Sequence, residues 1–60
     1  MKQDQIKVLL VEDESYDVRR IKNTIAPFRE RIHIEEIVST GDDALKAVEE
    51  SGPFDVAILD

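Results

Sequence analysis

Apolar residues follow two kinds of pattern along the chain, short unbroken runs and longer periodic stripes, and the two alternate. Val8, Leu9, Leu10 and Val11 make one unbroken run within residues 6–11, and Val56, Ala57, Ile58 and Leu59 make another within residues 55–59. Runs of this kind predict strands covered on both faces. Between them, Val18, Ile21, Ile25 and Phe28 recur at spacings of three, four and three. That stripe predicts a helix over residues 15–28, with Ser15 as N-cap, Asp17 complementing the positive helix start and Pro27 ending or distorting the last turn. Residues 33–38 form a second, more polar strand, in which Ile34 and the pair Ile37 and Val38 flank Glu35 and Glu36. Its charge suits an edge position, where carboxylates discourage stray pairing. Residues 39–50 open as a turn and continue as a second helix. Ser39 or Thr40 caps it, Asp42 and Asp43 lie in its first turn, and Ala44, Leu45, Ala47 and Val48 form the buried side. Gly52 and Pro53 close it.

Strands alternating with helices predict an α/β fold built from β-α-β units on a parallel sheet. The two apolar strands read as central and the charged one as an edge, which gives the order 2-1-3. Right-handed crossovers then put the two helices on opposite faces. The point where the crossovers diverge is a switch point, and ligands bind there, beyond the carboxyl ends of the strands. Glu12 and Asp13 follow the first strand and Asp60 follows the third, so three carboxylates are expected at one rim. The third strand, apolar throughout, has no successor with which to pair. The expectation is therefore a domain truncated to β-α-β-α-β over residues 1–60.

Composition narrows the function classes. At 60 residues the chain holds at most one small core, and without cysteine it has neither disulfides nor thiolate zinc sites. Fourteen acidic against eight basic residues give a formal charge of −6, which opposes nucleic-acid binding and suits an acidic protein or a cation binder. No apolar stretch reaches the length of a membrane span, and the short polar start is no signal peptide, so a cytoplasmic location is expected.

Three carboxylates close together repel one another, and a hard cation such as Mg²⁺ relieves the repulsion through oxygen ligands while keeping waters that phosphoryl oxygens can replace. A carboxylate beside such a cation can act as a nucleophile and form an acyl phosphate. Asp60 is the better nucleophile, because it stands alone after a rigid strand, whereas Glu12 and Asp13 come as a pair. The plainer reading is that acidic residues here cap or solvate the first helix, with Asp13 or Glu14 favouring its N-terminus.

The stretch KVLLVEDE (residues 7–14) resembles the opening of response-regulator receiver domains. GDDALKAVEE (residues 41–50) resembles their second helix, and FDVAILD (residues 54–60) the segment that ends in the phosphorylated aspartate. The three occur in family order and spacing across nearly the whole chain. The resemblance implies a flavodoxin-like fold, Mg²⁺ held by Glu12, Asp13 and Asp60, and phosphoryl transfer to Asp60 from a histidine kinase or phosphotransfer protein. Glutamate at the first acidic position is a common variant of the family's aspartate. The family also uses a backbone carbonyl two residues past the aspartate, a hydroxyl residue after a fourth strand and a lysine after a fifth. None of these positions occurs here. Three site residues therefore carry over, and phosphorylation of the chain as it stands is expected to be impaired.

Two other readings compete. One is a self-associating interaction module without phosphotransfer, dimerising through the third strand. The other is an enzyme of the aspartate-nucleophile phosphatase kind, which would need a second aspartate two residues past Asp60; the acidic pair after the first strand favours a receiver, which is not an enzyme. His33, the single histidine, falls at a strand start away from the rim. Tyr16 reads as packing or exposed. Arg19, Arg20, Arg29 and Arg31 read as a solvated face, with kinase docking as the sharper possibility for Arg19 or Arg20.

Overall fold

A computed structural model of the chain describes residues 5–59. The elements run β1 (Ile6–Val11), α1 (Ser15–Ile25), a short 3-10 helix (Ala26–Phe28), β2 (Ile32–Val38), α2 (Gly41–Ser51) and β3 (Val56–Leu59). The three strands are parallel and ordered β2-β1-β3, so the α/β class and the 2-1-3 order follow the hydrophobic pattern.

β1 is central because four successive residues can be buried on both its faces. Val8, Leu9 and Leu10 are at most 3% exposed and Val11 is 9% exposed. Leu9 and Val11 form a cluster with Ala47 of α2, against which Val38, Ala44 and Phe54 pack. Strand side chains alternate between faces, so Val8 and Leu10 serve the other face. There α1 lies beside the sheet, with Ile21 and Ile25 bordering the same groove as Ile58, the register partner of Leu10. The helices thus cover opposite faces.

β2 shows how the sheet absorbs an irregular pattern. Ile34 and Ile37 are separated by two glutamates, so strict alternation would turn them to opposite faces. The register slips by one residue between Val8 and Leu9: Val8 pairs with Ile34 but Leu9 with Glu36, and Glu35 is left as the extra residue of a bulge. Ile37 then pairs with Leu10, on the face Val8 shares with Ile34. β2 is an edge strand, as its charge implies.

Several local expectations are corrected. The α-helical part of α1 stops at Ile25, and the last turn tightens to a 3-10 helix holding Pro27, since proline can give no N–H to an i→i−4 ladder. Phe28 consequently leaves the stripe and is 56% exposed. Glu14, not Ser15, is the N-cap of α1; its carbonyl accepts the first helical bond from Val18 N–H at 3.0 Å, and its side chain makes no capping bond. Thr40 does cap α2, its Oγ1 accepting Asp43 N–H at 3.1 Å. On α2 only Ala47 is buried, with Ala44 half-buried; Leu45 and Val48 are 65% and 52% exposed. The two alanines point at the sheet, and their neighbours in sequence rotate away from it. β3 is not covered on both faces either, with Val56 47% and Leu59 73% exposed.

Gly52 ends α2 with φ −65°, outside the left-handed region, so its freedom of φ is not what selects it. A Cβ there would lie 2.5 Å from the Val48 carbonyl oxygen, and only glycine permits that approach. Beyond it, Asp55 fastens the start of β3 to β1 twice. Asp55 N–H donates to the Lys7 carbonyl, and Lys7 N–H donates to Asp55 Oδ2, each at 2.8 Å. Asp55→Ala removes one of these bonds and is expected to lower stability by about 1 kcal/mol in urea unfolding, with Asp55→Asn, which keeps an acceptor oxygen, closer to the parent.

Candidate functional site

The candidate site is the rim at the carboxyl ends of the strands. β1 reaches it through Glu12, whose N–H donates to the Val38 carbonyl at 2.9 Å and so extends the ladder one residue past Val11. Glu12 is buried, 6% exposed, and its Oε2 accepts Glu14 N–H at 3.2 Å. This carboxylate has a structural task, because it fixes the turn from which α1 starts. Asp13, next along, is exposed. Val38 at the end of β2 and Leu59 at the end of β3 both pair with Val11. Thr40, Asp42 and Asp43 begin α2 beyond the carboxyl end of β2, at the same end of the parallel sheet.

Of the three residues expected to share a cation, Glu12 and Asp13 stand consecutively at this rim. Asp60, the expected phosphoacceptor, lies outside the described residues, although Leu59, which precedes it in sequence, is described. Among the described residues no group of three or more His, Cys, Asp or Glu is arranged to hold a metal ion. The donor set is nevertheless of the right chemistry: carboxylate oxygens are what Mg²⁺ takes, and two or three of them leave positions for water or a phosphoryl oxygen.

Of the remaining candidates, His33 falls away from the rim. His33 pairs in register with Lys7 near the opposite end of β1. Its Nε2 lies 3.5 Å from Glu35 Oε2, an ion pair when the imidazole is protonated, and both side chains are largely solvated. Tyr16 is 71% exposed on the first turn of α1. Arg19, Arg20, Arg29 and Arg31 are exposed; the Arg29 Nη1 group donates to the Ala26 carbonyl at 3.1 Å and closes the 3-10 turn. Burial of Glu12 and its bond to Glu14 are the features of the site that pattern reading missed. The one signal was that the acidic residue adjoins four buried residues of a central strand.

Among the described residues no helix is long and apolar enough to cross a membrane. No family model matches the chain, and no curated protein or solved structure matches it significantly. What is established is a parallel α/β unit of three strands ordered 2-1-3, with Glu12 and Asp13 at the carboxyl end of its central strand.

Proposed function

We propose that this chain carries the phosphoacceptor region of a receiver domain of a two-component response regulator. Asp60 accepts a phosphoryl group from a histidine kinase or phosphotransfer protein, and Glu12, Asp13 and Asp60 hold Mg²⁺. The observation that carries the reading is the register of Val11 with Leu59: the residues that immediately precede the acidic pair and Asp60 are partners on adjacent parallel strands. They stand at the reversal of strand order, where α/β sheets bind ligands. In the transfer, a carboxylate oxygen of Asp60 forms a bond to phosphorus as the bond from phosphorus to the donor's histidine nitrogen breaks, leaving an acyl phosphate and a free imidazole. Mg²⁺, when bound, neutralises charge on the phosphoryl oxygens. Glu12, tied to the Glu14 N–H, keeps a second carboxylate at the rim.

Cation binding tests this reading in the chain itself. Mn²⁺, a paramagnetic substitute for Mg²⁺, is expected to broaden the amide resonances of residues 12–14 selectively and to leave those of Lys7 and His33, at the far end of the sheet, sharp. Asp13→Ala should weaken that binding roughly 10-fold or more, since even the loss of an outer-shell partner of a metal ligand costs that much, whereas Asp42→Ala should change it little. Uniform broadening, or equal effects of the two substitutions, would show only the general attraction of an acidic chain for cations.

A further inference from the structure

β1 and β3 meet along uninterrupted apolar runs, the ladder passing evenly from Val8 and Val56 to Val11 and Leu59. Such a ladder does little to specify its own register. A slip of one residue turns every side chain of a strand to the other face, which is costly where the strand has a polar face. No residue of Val56–Leu59 is polar, so a slipped β3 exchanges apolar for apolar. β2 differs, because its isoleucines are set among His33, Glu35 and Glu36 and a slip would trade them for charge. Phe54, just before β3, packs against the cluster of Leu9, Val11 and Ala47, but apolar contact is not directional. Asp55 supplies the direction. Its N–H donates to the Lys7 carbonyl, and its Oδ2 accepts the N–H of the same lysine, each at 2.8 Å. This pair stands one step before Val8 and Val56 and so continues the observed register.

We infer that Asp55 is a positioning residue for the candidate site: it locks β3 on β1 in the register that sets Leu59 beside Val11, and so brings the next residue, Asp60, to Glu12 and Asp13. The inference rests on the phosphoacceptor reading of Asp60. Asp60 follows Asp55 by five residues, as Glu12 follows Lys7, so the count from clamp to carboxylate is equal on the two strands. A slip of one residue moves a strand by about 3.3 Å along its axis. A misplacement of roughly 1 Å can already cost a reaction about 100-fold. Asp55 acts from the far end of the strand and touches none of the reacting atoms. The clamp joins β1 to β3 directly and does not depend on what lies beyond β3.

Cross-strand NMR contacts in the whole chain, read together with Mn²⁺ binding, test the inference. The parent and Asp55→Asn, whose amide oxygen still accepts the Lys7 N–H, should both show Val8 against Val56 and Val11 against Leu59. Asp55→Ala should lower the population of that register relative to slipped ones by about 2- to 10-fold, the range that one net hydrogen bond is worth. The signs are a weaker contact of Val11 with Leu59 and exchange broadening of residues 56–59, while Val8 with Ile34 and Leu10 with Ile37 persist on the β2 side. A merely stabilising residue would weaken both sides of β1 together. Mn²⁺ binding at residues 12–14 should fall with the register in Asp55→Ala and recover in Asp55→Asn. A parent that binds Mn²⁺ there while Asp55→Ala keeps the parent's register, or loses its β2 and β3 contacts together, overturns the positioning role alone. A parent that binds no Mn²⁺ there overturns the functional reading and the positioning role with it, whatever the register does.

Discussion

Leu10→Ala is expected to leave the chain largely unfolded in the absence of denaturant. Leu10 is the most deeply buried side chain among the described residues, 0% exposed, and it sits on the central strand between Ile37 of β2 and Ile58 of β3. Truncating such a leucine costs about 2–5 kcal/mol, the loss of transfer energy being added to that of the cavity left behind. A single core below roughly 70–80 residues rarely supplies more than ~3–5 kcal/mol in all. This chain has no cysteine with which to supplement its core. One substitution therefore removes most or all of the margin. Far-UV circular dichroism with urea titration reads the result: the parent should show a cooperative transition and Leu10→Ala little or none. Leu45→Ala, at a position 65% exposed, should shift stability by no more than ~0.5 kcal/mol. A Leu10→Ala transition close to that of the parent would show that the sheet centre does not dominate stability.

The same contrast explains what the sequence makes legible. An unbroken apolar run between charged residues has few readings, so β1 and its central place are evident from Val8 to Val11. The doubled glutamate of β2 is different. Its effect depends on how the neighbouring strand is registered, and a bulge cannot be assigned until Ile34 and Ile37 are seen to pair with Val8 and Leu10. On α2, the alternatives Ala44 with Ala47 and Leu45 with Val48 differ by one position. Hydrophobicity favours the larger pair, yet the close approach of helix to sheet admits the smaller one. The cap of α1 was displaced from Ser15 to Glu14 because the chain turns immediately after Glu12, with the Glu14 N–H held by the Glu12 carboxylate.

The candidate site divides along the same line. That Glu12 and Asp13 end the central strand follows from where the apolar run stops. That one of them is buried and the other exposed does not, because it depends on which face each side chain takes at the rim and on what the turn into α1 covers. Glu12 continues the alternation of Val8 and Leu10, toward the face on which α1 begins. Its carboxylate serves the local turn, and in the proposed site it would serve a cation as well. Asp13→Ala is therefore the cleaner probe of cation binding, since removal of Glu12 would also disturb the start of the helix.

The second large effect concerns Asp60. An amide in place of its carboxylate keeps size and shape but is a far poorer nucleophile and brings no negative charge to a cation. Asp60→Asn is expected to abolish phosphorylation while leaving the sheet intact, because the amide matches the carboxylate in size and shape. The decisive measurement is intact-protein mass after incubation with acetyl phosphate and Mg²⁺, made on this chain and on any longer product of the same gene. The proposed function predicts a single phosphoryl adduct, labile in base as acyl phosphates are, strongest in a product that extends past Asp60 and absent from Asp60→Asn. No adduct in any product, or an adduct that survives the substitution, would contradict it.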